Sequence, residues 1–187
     1  ESLTNINAPV IESKAFAEKW CLSTGQSYQL RALRIFKLEK VERPSQIQGN
    51  LRLATEDDKQ LTISWLHAFN LEALGKEISD LDRESWVDRV LHKKIAYLWE
   101  NKIPVSIACS TRSTPNGIGI NMVYTPPEYR KRGYASACVA ALSQKLLDQG
   151  YKFCFLFTDL SNPTSNKIYR KIGFKPVADW NNYYFSD

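Results

Sequence analysis

Apolar positions along this chain change their spacing several times, and each change marks an element. From residue 51 onward the pattern predicts a strand over 51–54, a helix over 56–74, and a second helix from 84 to 91 or a little beyond. A strand at 95–100 follows. Two more, at 105–111 and 118–124, flank Pro115 and Asn116-Gly117, whose turn chemistry makes a hairpin the natural reading. Residues 134–149 place Ala135, Cys138, Val139, Leu142 and Leu146 on one helical face, with Gly150 as the stop. The run 153–158 is apolar almost throughout, which predicts a central strand covered on both sides, as in parallel pairing. Asn162 before Pro163 reads as a helix N-cap, and that helix runs to Ile172 with Gly173 ending it. A last strand or two occupy 174–185. The order β-α-α-β-β-β-α-β-α-β predicts an α/β (α+β) domain, a mixed sheet with helices on both faces.

Residues 1–48 are patterned differently. They suggest one helix, with Phe16 and Trp20 on a face, then an extended piece over 33–41, bounded by Pro44 and a polar stretch ending at Gly49-Asn50. A segment this short does not bury a core alone. It is expected either to pack on a main domain at 49–187 as an arm, or to be the tail of a preceding domain. The opening Glu1-Ser2 reads as internal and favours the second.

Composition narrows the function classes. No apolar run approaches the roughly 20 residues of a membrane span. The start lacks a secretory leader, so the expected compartment is the cytoplasm. Four cysteines stand singly and only two histidines occur, which predicts free thiols and no metal. The net charge of +5 is spread along the chain. It lacks the clustered basic face of a nucleic-acid binder and suits a polyanionic small ligand. A homodimer is compatible with all of this.

Candidate chemistry concentrates at Tyr124-Thr-Pro-Pro-Glu-Tyr-Arg-Lys-Arg-Gly-Tyr-Ala-Ser136, between an apolar strand and an amphipathic helix. Gly133 and the small Ala135, Ser136 and Ala137 would let backbone approach a ligand where the first helical amides lack internal partners. Arg130, Lys131 and Arg132 add positive charge. Together they predict an anion site.

These residues resemble the coenzyme motif Arg/Gln-x-x-Gly-x-Gly/Ala of the GNAT superfamily of acyl-CoA N-acyltransferases, through Arg130, Gly133 and Ala135. A second block, Asn162, Tyr169, Gly173 and Phe174, resembles the family pattern Asn-x6-Tyr-x3-Gly-Phe. The likeness extends from Gly49 to Phe185, and bacterial members with an extra N-terminal region offer an account of residues 1–48. The resemblance implies a mostly antiparallel sheet splayed between the fourth and fifth strands counted from residue 51. It implies acetyl-CoA as cosubstrate, with the pantetheine arm along Met122, Val123 and Tyr124. The pyrophosphate would rest on the amides of Arg132, Gly133, Tyr134 and Ala135 and the Ser136 hydroxyl. Asn162 would face the coenzyme or cap its own helix. Tyr169 would be the general acid that protonates the departing CoA thiolate.

An acceptor amine must also lose a proton, and Glu72 and Glu100 are candidate bases that read equally as surface charges. Acidic Glu72, Glu77, Asp80, Asp82 and Glu84, interleaved with Trp65, Phe69 and Trp86, would suit a cationic amine, or mark a solvated loop beside core aromatics. The activity expected is therefore N-acetyl transfer to a primary amine. A non-catalytic acyl-CoA-binding or sensing module is the alternative.

Overall fold

Short turns build one half of the sheet, in a computed structural model that describes residues 3–42, 46–75 and 77–187. Strand β4 (Ala96–Asn101) reverses at Lys102, whose φ of +64° makes the tight turn, into β5 (Ile103–Thr111). Thr114 closes the next turn by exchanging backbone and side-chain bonds with Gly117, and β6 (Gly117–Tyr124) returns antiparallel to β5. β3 (Asn50–Leu53) adds the outer edge.

Helix starts follow local capping chemistry. Thr55 donates its backbone N–H to the Asp58 carboxylate at 2.8 Å, and Arg52 donates to the same group at 2.7 and 2.9 Å, fixing the entry to α2 (Lys59–Phe69). Ser79 caps α3 (Asp80–His92), so this helix begins four residues before the position its apolar pattern predicts. Charged first-turn residues hid that start. Helix α4 (Tyr134–Asp148) links β6 to β7 (Phe153–Asp159), the long connection a parallel pair requires. Asn162 caps α5 (Pro163–Ile172), and one long strand, β8 (Lys175–Ser186), completes the predicted order.

The N-terminal segment enters the same sheet. β1 (Asn5–Pro9) pairs with β8 at the edge, α1 (Val10–Thr24) sets Trp20 against Phe185, and β2 (Ser27–Leu38) lies between β7 and β8. The full order is β1-β8-β2-β7-β6-β5-β4-β3, antiparallel except for β6 and β7. β2 begins six residues earlier than the extended piece read at 33–41. The bounding turn expected at Pro44, and the opening Glu1-Ser2, lie outside the described residues.

Two apolar cores form. One joins Phe36, Leu38, Cys154 and Leu156 to α4 and α5, and the other joins α2 and α3 to Leu98, Ile107, Met122 and Tyr124. The expectation for β7 needs correction. Cys154, Leu156 and Thr158 are buried, but Phe153, Phe155 and Phe157 are only half buried, because α2 and α3 gather over β4–β6 instead. Lys37 over Phe153, and Arg112 over Phe157 with Trp180 edge-on to it, shield two of those three rings.

Candidate active site

A β-bulge interrupts the pairing of β5 and β6. Ile107 pairs with Tyr124 and Cys109 with Asn121, so β6 carries an extra residue there, and Met122 takes φ +49°. The bulge also reverses the facing of the strand. Ile118 and Ile120 belong to the α4 core, whereas Met122 and Tyr124 belong to the α2/α3 core, with Val123 now packed toward α4. Pairing of β6 with β7 runs from Gly117–Phe153 to Gly119–Phe155, beyond which β7 stays with β2 and the two strands part. Ser106 pins the end of β6 by donating to the Tyr124 carbonyl at 3.0 Å. Met122, Val123 and Tyr124 thus lie on β6 beyond the end of its pairing with β7, on the side where the two strands part.

The basic loop follows directly. Its short 3-10 turn, Pro127–Tyr129, leads to Lys131 at φ +62° and to Gly133 at φ +84°, which stands as N-cap of α4 without a side-chain cap. The first amide bonded within the helix is that of Ala137, to the Gly133 carbonyl at 3.0 Å. The amides of Tyr134, Ala135 and Ser136 therefore face outward at the positive end of the helix dipole. Lys131 and Arg132 are exposed beside them.

Three residues of this loop have structural duties their motif did not reveal. Arg130 donates Nε to the Thr125 carbonyl at 2.9 Å and Nη2 to Glu72 at 2.5 Å, and lies over the Tyr124 ring. Gly133 at φ +84° is strained for any side chain, and a Cβ there would also meet the end of the Ile47 side chain at 2.8 Å. Tyr134 buries its ring, and its hydroxyl accepts from Asn101 Nδ2 at 2.9 Å.

Tyr169 projects from α5 into the core, with ring centroids 6.5 Å from Phe36 and 5.8 Å from Phe174. Its hydroxyl has no hydrogen-bond partner among the described residues, and burial pushes the phenol up to about 12. It therefore holds its proton throughout the neutral range. Asn162 Oδ1 accepts from Ser165 N at 3.0 Å, so the cap is formed, and its Nδ2 donors remain for another partner. Asn166 donates to the carbonyls of Asp159 and Asn162 and shapes the same loop.

On the opposite face, helix α2 widens into a π-helical turn, Asn70–Leu74. Glu72 there accepts from Tyr124 Oη at 3.2 Å as well as from Arg130. Burial and the nearby Glu72 carboxylate raise the Tyr124 phenol above its ordinary value. Glu100, the other candidate base, is bonded to Arg52 instead. Trp65 is a core residue, with Phe69 and Trp86 partly buried against the same core. Arg31, which no motif singles out, spans this region from β2: Nε donates to Asp159 at 2.8 Å and Nη2 to the Ala73 carbonyl at 2.6 Å. Only the sheet order brings it there. Among the described residues, no cluster of three or more His, Cys, Asp or Glu could hold a metal, and no helix is long and apolar enough to cross a membrane.

Known proteins share this architecture. The family described as FR47-like protein matches residues 103–185. A GNAT-family acetyltransferase of Colwellia psychrerythraea superposes with a TM-score of 0.66 at 10% identity, over 97% of this chain and 64% of its own. For a GCN5-related N-acetyltransferase of Sphaerobacter thermophilus the values are 0.69 and 16%, over 97% and 59%. For a Drosophila protein they are 0.76 and 11%, over 98% and 61%. No curated protein matches the chain in sequence. The chain therefore has the GNAT superfamily fold, and it spans about six-tenths of the length of these solved chains.

Proposed function

We propose that the chain is an acetyl-CoA-dependent N-acetyltransferase acting on a primary amine. The observation that carries this reading is the wedge between β6 and β7 opening directly onto the outward amides of α4. A long ligand with an extended arm and an anionic end fits that pairing: strand edge for the arm, helix N-terminus with Lys131 and Arg132 for the phosphates. Met122, Val123 and Tyr124 would hold the pantetheine, and Arg132, Gly133, Tyr134, Ala135 and Ser136 the pyrophosphate. Arg130 shapes the loop while its remaining guanidinium donors stay available. Asn162 Nδ2 supplies a further contact.

The coenzyme supplies an acetyl thioester. Wedge backbone N–H groups orient its carbonyl and stabilise the charge that gathers on oxygen during attack. The amine nitrogen forms a bond to the acetyl carbon and the carbon–sulfur bond breaks. Tyr169 gives its proton to the leaving sulfur and is reprotonated by the one lost from nitrogen, so the proton count balances. Residues 49–187 carry every proposed site residue of the transferase unit and fold with β2 from outside that range. Residues 1–48 are an arm of this unit or the end of a preceding domain, and in either case supply β2.

Thermal shift with CoA, together with thiol release from acetyl-CoA across a panel of amines, tests this. Stabilisation and thiol release with at least one amine are expected. Stabilisation without turnover on any amine would favour a binding module, and absence of any shift would defeat both.

A further inference from the structure

The π-helical turn at Asn70–Leu74 is tied to both strands that flank the wedge, on the face opposite α4 and α5. Asn70 Nδ2 donates back to the Leu66 carbonyl at 2.8 Å, holding the widened turn against α2. Widening projects Glu72 toward the end of β6, where Tyr124 Oη and Arg130 Nη2 meet its two carboxylate oxygens. The next residue faces the other strand: its carbonyl takes Arg31 Nη2, and Arg31 Nε is held by Asp159 at the end of β7. Such π-turns inside helices are frequent at functional sites. A carboxylate has roughly four lone-pair positions, of which two are in use here. The Glu72 side chain is 44% exposed, so the others are open to a ligand.

We infer that Glu72 is the acceptor-side group of the site, receiving the ammonium of an aliphatic primary amine and taking its proton, and that Arg31 is the positioning residue that fixes its turn over the wedge. This rests on the transferase reading above. The ammonium donates to the free lone pairs of Glu72, one N–H proton passes to the carboxylate and then to water, and the neutral amine is left facing the wedge. Tyr124 and Arg130 keep the carboxylate in one orientation. Arg31 acts only through the turn, because its donors are spent on Ala73 and Asp159.

Steady-state kinetics of Glu72→Gln and Arg31→Gln, with both substrates varied, test the inference. Glu72→Gln should lower kcat/KM for aliphatic amines by about 10²-fold, the usual range for loss of a proton acceptor, and leave the acetyl-CoA KM within about twofold. Weakly basic aromatic amines, already neutral, should lose far less. Arg31→Gln should raise the amine KM with little change in kcat or in the acetyl-CoA KM, a split that a general loss of folding would not give. Native amine kinetics in Glu72→Gln, or a change confined to the acetyl-CoA KM, would overturn the assignment and leave the transferase reading standing. No turnover by the unmodified protein with any amine would instead fall on that reading.

Discussion

Tyr169 combines a buried ring with a hydroxyl that nothing else in the described structure engages, and its phenol is pushed up to about 12. Replacing it by Phe keeps the packing against Phe36 and Phe174 and removes only the proton. Tyr169→Phe is therefore expected to lower kcat by about 10²-fold or more while leaving acetyl-CoA KM and the melting temperature near native. Burial disfavours the charged phenolate, so the acid form persists to high pH. Consequently kcat should show no fall attributable to Tyr169 below about pH 10, as a kcat–pH profile would register. Asp58 offers a test of stability rather than chemistry. Bonds from Arg52, ahead of those from Thr55, hold its carboxyl below the usual carboxylate range despite partial burial. A depressed folded pKa stabilises above the unfolded value near 3.9 and is lost as pH falls through the folded value. Asp58→Asn should cost about 1–3 kcal/mol at neutral pH in urea unfolding, and the difference should vanish in strong acid.

At the scale of elements, the cap of α5 allows a structural role to be tested apart from the proposed ligand-binding one. Asn162→Ala should cost about 1 kcal/mol by removing the bond to Ser165, whereas Asn162→Ser should restore stability. If Asn162 Nδ2 also meets the coenzyme, the Ser variant will keep the melting temperature and still raise acetyl-CoA KM. Much of this layer was legible in the sequence. The spacing in 134–149, the Asn-Pro start of α5 and the glycine stops each encode a local event, and each element formed where it was read. The start of α3 was not legible, since its first turn is charged and its signal was a single Ser79 cap. Gly133 was recognised from its motif, but its neighbour Ile47 comes from a distant stretch of chain.

For the whole molecule, β2 is the element on which most depends. It pairs along both β7 and β8, contributes Phe36 and Leu38 to the core and carries Arg31 to the wedge. Deleting residues 1–38 would expose two strand edges and open the core, and unpaired edges favour association. That truncation is expected to yield aggregated or unfolded protein in size-exclusion and circular-dichroism measurements, not a smaller active domain. The sequence by itself determined what local spacing and short motifs encode: the order of elements from residue 51, the turns and caps, the basic loop ahead of α4 and the resemblance carried by its two blocks. Only tertiary structure decided the rest. The bulge at Met122 depends on pairing with β5, the half-covered face of β7 depends on where α2 and α3 settle, and the meeting of Arg31, Glu72, Tyr124 and Arg130 depends on sheet order. These are contacts between residues far apart in the chain, and neither periodicity nor spacing within one segment records which strand will lie beside which.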